Sequence, residues 1–454
     1  MLDKSIQPIA HDDTGIWFKL AALQNAADPL NLLLLMARNA PGCIPLQMGS
    51  QRVFVVTAPD YFKQVLATKS ANYSKYLDGM KPIFGASMIT LDGALWQQVR
   101  AVEQPAFHPD ALATYVPHFL AAIHARLERW RGLDGGATLD IGPETWALAC
   151  DMICRALFRR ETPFNPALVY NAIDAYTDVT NHRALGKFSD ADVKAGPGTQ
   201  TLHGGEAIAR ACEAWNSLPA LVLAAPPFQN HDDYLLRMIE VAAADPAIEA
   251  FDHTRALDEI KQYIWAGTET TALVLGWALY ICATKPEIAQ LIRDETAAVF
   301  GDRDPTLADY QMLLRTRSVI AETMRAYPPI WSLARRAEAD DVIGDQDIKA
   351  GDVVSLWLYV VQNDPRHWDN PERFDPDRFG TGAKAPAPYS YLPFGAGRRA
   401  CIGTSMSQIE MALALALILR DFDLDYAGEA PAGVKLSVVL APDNRLPMRM
   451  RPRA

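Results

Sequence analysis

Apolar residues recur every three or four positions over most of this chain, which is the spacing of an amphipathic helix. This spacing predicts helices over residues 17–25, 111–160, 163–183, 204–224, 252–284, 286–300, 318–325 and 405–419, with a break in the second at 132–136. Strand-like alternation is confined to short runs at 51–57 and 353–361, and the tail at 434–440 and 446–450 predicts a closing hairpin. The pattern therefore indicates a mainly α protein with small β-sheets.

Several stretches between these elements lack a regular period. Residues 58–60 predict a turn and residues 61–68 a short helix, whereas residues 71–90 mix aromatic residues with glycines and predict a loop. A turn is expected at 344–351. Residues 184–205 contain a Gly-Pro-Gly run and predict a connection between two helices. Both a lid over a channel and a solvated linker are compatible with that composition.

The composition limits the class of protein. Half of the 454 residues are hydrophobic, so the chain can bury a large core. A formal net charge of −11 argues against a nucleic-acid-binding protein. The six cysteines lack the paired spacing of a secreted disulfide scaffold. Cys150 and Cys154, four apart in a helical pattern, are interpreted as core residues rather than as half of a metal site.

The distribution of apolar residues indicates neither a targeting segment nor a membrane span. The first fifteen residues are mixed polar and acidic, unlike a secretory signal. The longest apolar runs, such as 273–283, are shorter than the roughly 18 residues that a membrane span needs. We therefore expect a soluble, cytoplasmic protein without a membrane anchor.

The strongest chemical signal is the run PFGAGRRACIG at residues 393–403, which precedes the last predicted helix. Backbone N–H groups and the helix dipole are positive at a helix start, and they predict a lowered pKa for the Cys401 thiol. Phe394 can shield one side of the sulfur, the glycines permit positive φ, and Arg399 can bind a carboxylate. A haem iron held by a thiolate, with a propionate nearby, would use each of these features.

Two other interpretations fit parts of the same run. An isolated cysteine is often a small buried hydrophobic residue. The letters GAGRRA at 395–400 also fit the dinucleotide pattern G-x-G-x-x-A, but that pattern requires a preceding strand in a βαβ unit, and the preceding segment here is a proline-containing loop. The longer spacing F-x-x-G-x-R-x-C-x-G is more specific, and it resembles the haem-ligand loop of the cytochrome P450 family.

The resemblance extends over nearly the whole chain and implies a single haem domain over residues 1–454, of the soluble bacterial type. It implies a triangular, helix-rich cytochrome P450 fold, with haem b between a long oxygen-binding helix and the helix that follows the cysteine. Cys401 would be the metal ligand, and Phe394, Arg399 and Gly403 would contact the haem.

Three more residues match positions that hold haem propionates in this family. Trp96 and Arg100 form the pattern W-x-x-x-R on one helix face, and the letters QPAF at 104–107 also suit the family. A cation–π pair is the simpler explanation of that spacing. Arg335 matches a further propionate ligand, but the adjacent Arg336 leaves the register open.

A second motif, AGTETT at residues 266–271, places a glycine and three threonines inside the longest predicted helix, where they are poor helix formers. The hydroxyl groups can bond backbone carbonyls, and Gly267 is expected to leave room for a flat cofactor and for O2. A kinked core helix would also explain the composition. The match to the family's oxygen-binding pattern is complete and implies that Glu269 and Thr270 are the catalytic acid–alcohol pair that delivers protons.

A third pattern concerns stability rather than chemistry. Glu322 and Arg325 lie three residues apart in an apolar helix, and Arg378 lies in the run PDRF. An exposed pair of this kind contributes little to stability. The resemblance implies instead a buried triad that fixes the fold on the haem side.

Apolar residues on several segments are expected to line a substrate pocket, with ordinary packing as an equal alternative. The candidates are Met80, Ile83, Phe84, Met88, Ala266, Ile330, Trp331 and Leu333. Because they are apolar, we expect a hydrophobic small molecule such as a fatty acid, terpene, steroid or aromatic compound.

Together the motifs predict a monooxygenase that inserts one oxygen atom of O2 into such a molecule by hydroxylation or epoxidation. We expect a monomer without a fused reductase, which receives electrons from a ferredoxin or flavodoxin and its NAD(P)H-dependent reductase. A haem-thiolate gas sensor or carrier is one alternative, and the Glu269–Thr270 pair argues against it. A peroxygenase or isomerase of the same fold is another, which the dependence of turnover on electrons would separate.

Overall fold

The computed structural model describes residues 29–453 apart from 40–41, 49–50, 134–136, 168, 171–202, most of 229–251, and 444. The helix predicted at 17–25, most of the helix predicted at 163–183 and nearly all of the connection predicted at 184–205 therefore lie outside the described residues.

Helices form most of the described chain. They are α1 (Pro29–Asn39), α2 (Pro59–Lys63, continued by a π-helical turn Gln64–Thr68), α3 (Lys81–Phe84), α4 (Gly93–Glu103), α5 (Pro109–Arg131), α6 (Ile141–Leu157), α7 (His203–Ala224), α8 (His253–Thr284), α9 (Pro286–Val299), α10 (Leu307–Met312), α11 (Leu314–Ala326), α12 (Leu358–Gln362) and α13 (Thr404–Asp421). Prolines open α2, α5 and α9, where the missing N–H leaves no bond unmade.

The strands form small sheets at the edge of the helical body. One sheet has the order β1 (Cys43–Met48), β2 (Gln51–Val56), β8 (Val353–Leu356), β5 (Leu333–Ala337), β3 (Tyr73–Lys75). The others are the pair β6 (Asp341–Ile343) and β7 (Gln346–Ile348), the pair β10 (Val434–Leu436) and β11 (Leu440–Pro442), and the sheet of β4 (Thr138–Asp140), β12 (Pro447–Pro452) and β9 (Phe422–Tyr426). The predicted mainly α fold with small sheets is confirmed.

The long helix α8 lies at the centre of this body. Its residues 271–282 are buried on all sides, because α6, α7 and α13 pack around it. Helix α13 is likewise buried through 409–419. The two helices that carry the AGTETT motif and follow the Cys401 loop therefore form the rigid centre of the protein.

The structure corrects three expectations. The predicted loop at 71–90 contains β3 and α3, which are too short to show a period. Residues 353–361 form a strand only as far as Leu356, and α12 follows after Trp357. The tail does not close as one hairpin, because β10 pairs with β11 whereas β12 pairs with β4 and β9. Strand β1, which pairs with β2, was not predicted.

In the part of the chain that the structure describes, no single helix is long and apolar enough to cross a membrane. Helices α8 and α9 pass the length and composition test only together, and they meet at an angle of 108°.

Candidate active site

The Cys401 loop is held against the π-helical turn by its glycines. Gly395 and Gly397 have φ of 69° and 70°, which other residues rarely adopt. A Cβ atom on Gly397 would lie 2.0 Å from the carbonyl oxygen of Leu66, so only glycine fits there. The Cys401 N–H donates to the Phe394 carbonyl oxygen at 2.9 Å, which fixes the cysteine just before α13 begins.

The Cys401 thiol has the predicted positive surroundings, but they do not lower its pKa. The thiol is solvent-accessible yet surrounded by protein on most sides, and this desolvation raises its pKa above the ordinary value. The Gly403 N–H, the Arg100 charge and the Thr404 hydroxyl oppose that rise in part. Burial outweighs the helix start, so the expected lowered pKa is not found for the thiol by itself. The three groups are nevertheless arranged to stabilise a bound thiolate.

The AGTETT motif lies mid-way along α8, and its hydroxyls differ in what they bind. Thr270 Oγ1 donates to the Ala266 carbonyl oxygen at 2.7 Å, as expected for a threonine that loosens the helix ladder. Thr271 Oγ1 instead donates to Glu410 Oε1 on α13 at 2.8 Å. Glu269 is buried beside them. Because Ala266 and Thr270 are four residues apart, they share one face of α8.

Gly267 has a packing role that the sequence did not indicate. A Cβ atom at this position would lie 2.4 Å from Ile153 Cδ1 on α6, so the glycine lies against a neighbouring helix, and its contact with a cofactor stays a prediction. Its absent side chain allows α6 and α8 to pack closely, which is a structural role.

Three buried or half-buried cations gather beside Trp96. Arg399 forms an ion pair with Asp92 and donates to the Tyr73 carbonyl oxygen. Lys75 donates to the Met88 and Ile89 carbonyl oxygens at 2.6 and 3.0 Å. Arg335 lies close enough to Arg399 and Asp92 for both charges to affect its pKa. We call Lys75, Arg335 and Arg399 the cation cluster.

The cation cluster shows the cost of burying like charges. Burial, added to by the neighbouring arginine charges, lowers the pKa of Lys75 to about 7. Burial and the charge of Arg399 lower the pKa of Arg335 to about 10. The sequence did not single out Lys75 or its neighbour Asp92, because β3 is only three residues long and no periodic signal marks it.

Strand geometry settles the register of the two arginines. Side chains alternate across β5, so Arg335 and Arg336 face opposite sides of the sheet. Arg335 points to the cation cluster, whereas Arg336 pairs with Asp78 at 2.9 Å and stacks on Tyr76.

Arg100 contacts the Cys401 loop. Its Nε donates to Gln104 Oε1 at 2.7 Å and its Nη1 to the Ala400 carbonyl oxygen at 3.1 Å, next to Cys401, where its charge favours a thiolate. The Trp96 ring lies 5.8 Å from Lys75 Nζ and 6.0 Å from the Arg399 guanidinium. That Arg100 and Trp96 contact haem propionates stays a prediction.

The residues present fit a haem with two propionates. The cation cluster places two arginines and Lys75 beside one carboxylate that pairs with it, Asp92, which leaves an excess of positive charge in buried surroundings. Nε of Arg399 is buried and has no hydrogen-bond partner among the described residues. Two carboxylates would supply the missing charge and acceptors. The thiol of Cys401 is the ligand that haem-thiolate iron requires.

The predicted triad is present and fully buried at its centre. Arg325 donates to Glu322 through Nε and Nη2 at 2.7 and 2.9 Å, and both side chains are 0% exposed. Arg378 Nε lies 3.4 Å from Glu322 Oε1. Arg325 also donates to the carbonyl oxygens of Gln362 and Pro371. We call these three charged residues the ion triad.

The pocket candidates separate into different surroundings. Phe84 packs against Trp265 and Trp215 with ring centroids 4.6 and 5.8 Å apart, and Trp215 Nε1 donates to the Ile83 carbonyl oxygen. Trp331 donates to the Ser437 carbonyl oxygen at 2.8 Å. Leu333 belongs to the small core under the first sheet, beside Gly395. The partly buried Met80 and Ala266 and the buried Met88 lie on the main core.

Glu410 is a buried group that the sequence did not indicate. It is 0% exposed on α13, and burial raises its pKa to about 8, opposed by the hydrogen bond from Thr271. A glutamate inside the apolar run at 405–419 was the available signal, since a carboxyl group is rarely buried without a partner.

Comparison with known proteins agrees with this geometry. The family described as Cytochrome P450 matches residues 12–445. The protein LUTEIN DEFICIENT 5, chloroplastic, of Arabidopsis thaliana is 26% identical over 86% of this chain and 68% of its own length. Cytochrome P450 4A24 of Sus scrofa is 27% identical over 92% of this chain and 86% of its own. Cyclooctat-9-en-7-ol 5-monooxygenase of Streptomyces melanosporofaciens is 27% identical over 83% and 81%. The chain belongs to the cytochrome P450 family of haem-iron enzymes that use O2, and it is a monooxygenase.

Proposed function

We propose that this enzyme uses haem b to insert one oxygen atom of O2 into a hydrophobic small molecule, by hydroxylation or epoxidation. The observation that carries the proposal is the position of Cys401 just before α13, near a cation cluster with an excess of positive charge. The Streptomyces relative, whose name states a monooxygenase of cyclooctat-9-en-7-ol, supports a largely apolar substrate.

Each group has a part in this proposal. Cys401 holds the iron, and a thiolate-held haem iron favours cleavage of the O–O bond. Arg335, Arg399 and Lys75 hold the propionates. Thr270 holds a proton at Oγ1 on the face of α8 that it shares with Ala266, and the buried Glu269 resupplies that proton.

The first experiment is the absorption spectrum of the dithionite-reduced protein with carbon monoxide. A strongly red-shifted Soret band is expected if Cys401 holds the haem iron as a thiolate. Cys401→Ala removes the band, whereas Cys43→Ala, which removes a thiol on β1, keeps it. An imidazole-like band in the unsubstituted protein, or no haem at all, overturns the proposal.

Thr270→Ala tests the proton path. We expect electron consumption to continue while product falls about tenfold or more and peroxide is released, because one positioned proton donor contributes 10²–10⁴-fold. Thr284→Ala is the matched control, since Thr284 Oγ1 makes the same bond to the carbonyl four residues earlier on α8, at 2.8 Å. Full coupling in Thr270→Ala refutes the role of Thr270.

We further propose that the protein is a soluble, cytoplasmic monomer of the bacterial type that receives electrons from a separate ferredoxin or flavodoxin. Members of the family generally need a redox partner, and exposed Arg398 beside the Cys401 loop offers a positive contact for an acidic donor. Arg398→Glu should slow donor-dependent reduction and weaken its salt dependence. Arg445→Glu, a change at an arginine 88% exposed near the tail sheet, should not. Equal rates in the two variants would reject the docking surface.

A further inference from the structure

Residues 86–89, which we call the clasp loop, are bonded to α8 by side chains and not by packing alone. Asp258 Oδ2 accepts from the Ala86 N–H at 2.9 Å, Glu259 Oε1 from the Met88 N–H at 2.6 Å, and Gln262 Oε1 from the Ile89 N–H at 2.8 Å. Three acceptors within two turns of α8 thus bind three N–H groups of one short loop.

The carbonyl groups of the clasp loop are held as well. Arg255 Nε on α8 donates to the Ala86 carbonyl oxygen at 3.1 Å. Lys75 of the cation cluster donates to the carbonyl oxygens of Met88 and Ile89. The loop is therefore bonded to α8 through its N–H groups and the Ala86 carbonyl, and to the cation cluster through the Met88 and Ile89 carbonyls.

Gly85, which precedes the clasp loop, lies in close contact with Asp258 on the same helix. Gly85 has a φ of 55°, and a Cβ atom there would lie 1.9 Å from Asp258 Oδ2. A larger residue would push Asp258 away from the Ala86 N–H. Glycine at this position is therefore part of the contact.

Glu259 is the central acceptor, and it lies against a second buried carboxyl group, Glu103 of α4. Both are 0% exposed. Tyr263 donates to Glu103 Oε2 at 2.7 Å and Met88 to Glu259 Oε1, which leaves Oε1 of Glu103 and Oε2 of Glu259 with no other partner among the described residues. The two carboxyl groups lie close enough to interact, and a hydrogen bond between these two oxygens would satisfy both. Two carboxyl oxygens can bond only if one carries a proton.

Glu259 lies on the same face of α8 as the residues proposed to act on O2. Glu259, Gln262, Tyr263, Ala266 and Thr270 are spaced i, i+3, i+4, i+7 and i+11 and so lie along one face of the helix. The clasp loop is thus fastened to the face that carries the oxygen-side residues, and it presents Met88 and Ile89 beside that face.

We propose that Glu259 and Gln262 are specificity-determining positioning residues: they fasten the clasp loop to α8, and one proton held between Glu259 and Glu103 keeps it fastened. The inference rests on the proposed function, because the loop can select substrates only if the site beside it oxidises them. With the fastening broken, Met88 and Ile89 no longer stand at fixed positions, and the enzyme discriminates less between ligands of different shape.

The charged and titratable groups around the pair set its pH dependence. They are Arg100 and Glu103 on α4, Arg255, Asp258 and Tyr263 on α8, and Lys75 on β3. Burial raises the pKa of Glu103 to about 8 and that of Glu259 well above its usual range. Below about pH 8 at least one carboxyl group of the pair is therefore protonated, and the loop is fastened. As the pH rises beyond this value the pair loses protons, negative charge accumulates on it, and the loop is released.

Hydrogen exchange tests the fastening without relying on activity. Glu259→Ala should raise the exchange rate of the amides at 86–89 about tenfold, the equivalent of one lost hydrogen bond, while the amides at 409–419 in α13 keep their protection. Glu259→Gln is the matched control: its amide oxygen accepts from Met88 and its NH₂ group donates to Glu103, so protection should be retained. Gln262→Ala, which removes only the Ile89 bond, gives the same test should Glu259→Ala fail to fold.

Ligand binding tests the consequence for selectivity. The probes are 4-phenylimidazole, whose phenyl group extends from the iron toward the pocket wall, and imidazole, which is too short to reach it. Glu259→Ala should weaken binding of 4-phenylimidazole about tenfold and leave imidazole unchanged. Equal weakening of both probes, or unchanged exchange at 86–89, overturns the inference.

The pH dependence of hydrogen exchange tests the role of the shared proton. Exchange protection at 86–89, corrected for the intrinsic base catalysis of exchange, should fall between pH 7 and 9 in the unsubstituted protein. It should stay level in Glu103→Gln, whose amide replaces the proton permanently. The same slope in both proteins rejects the role of the proton. A haem-thiolate band in every variant with no change in exchange refutes the clasp loop alone, whereas loss of that band in the unsubstituted protein refutes the proposed function.

Discussion

The ion triad and the cation cluster are both groups of buried charges on the haem side of the fold, and they differ in how those charges are balanced. In the triad both arginines lie against one carboxylate: Glu322 accepts from Arg325 and lies 3.4 Å from Arg378, and carbonyl oxygens accept from other nitrogens of Arg325. In the cation cluster, of three cations only Arg399 forms an ion pair with Asp92.

The difference separates a structural role from a binding role. A buried network in which each cation contacts a carboxylate of the protein needs no ligand, and removal of that carboxylate harms folding. A network in which most cations lack such a contact is less stable when empty, and a ligand of opposite charge stabilises it. The two arrangements therefore predict opposite responses to the loss of one member.

The largest effect is expected at the centre of the ion triad. Glu322→Ala leaves Arg325 charged and buried without its counter-ion, which should lower the free energy of unfolding by about 3–5 kcal/mol. Urea denaturation of the haem-free and haem-loaded proteins measures it. The free energy of unfolding of Glu322→Gln, which keeps the shape but not the charge, should lie between those of the unsubstituted protein and Glu322→Ala. A loss below about 1 kcal/mol in Glu322→Ala would mean that the triad is not the structural element that its burial indicates.

Arg335→Met tests the opposite response. Removing one unbalanced cation should stabilise the haem-free protein by about 1–2 kcal/mol, since replacing buried charge by apolar surface is often favourable. The same change should weaken haem retention, measured as the rate of haem transfer to a scavenging protein. Arg336→Met, in the neighbouring register, removes only the half-exposed pair with Asp78 and should change both by little. Destabilisation of the haem-free protein by Arg335→Met would show that the cation cluster is already balanced.

The comparison also explains which parts could be predicted from the sequence. The ion triad and the Cys401 loop lie in continuous motifs, so their members could be named before their contacts were known. The long helices α8 and α13 carry a sustained apolar pattern, and their boundaries agree with the prediction to within two residues. These are the signals that local chemistry and periodicity preserve.

What could not be predicted depends on contacts between distant segments. Lys75 and Asp92 lie in or near elements too short to show a period, and they meet Arg399 only in the folded chain. The motif suggested a cofactor contact for Gly267, but it did not indicate the packing of this glycine against Ile153. The Glu103–Glu259 pair likewise joins residues 156 positions apart, and no local sequence pattern predicts their contact.

The smallest effect, and the most direct one on charge balance, is the pH dependence contributed by Lys75. Its pKa in the haem-free fold is lowered to about 7 from 10.5, so between these values the unfolded chain binds a proton that the folded chain does not. Stability therefore rises with pH across this window. Relative to Lys75→Met, the haem-free protein should gain on the order of 1 kcal/mol per pH unit between pH 7 and 10, as measured by urea denaturation.

Haem should remove most of this gain. Propionates beside Lys75 favour its charged form and return its pKa toward the ordinary value, so the haem-loaded protein and its Lys75→Met variant should show nearly parallel pH profiles. Binding would then give the cations of the cluster carboxylate partners, as the arginines of the ion triad have. Parallel profiles already in the haem-free protein would mean that Lys75 is charged there, with its bonds to Met88 and Ile89 sufficient to hold the charge without haem.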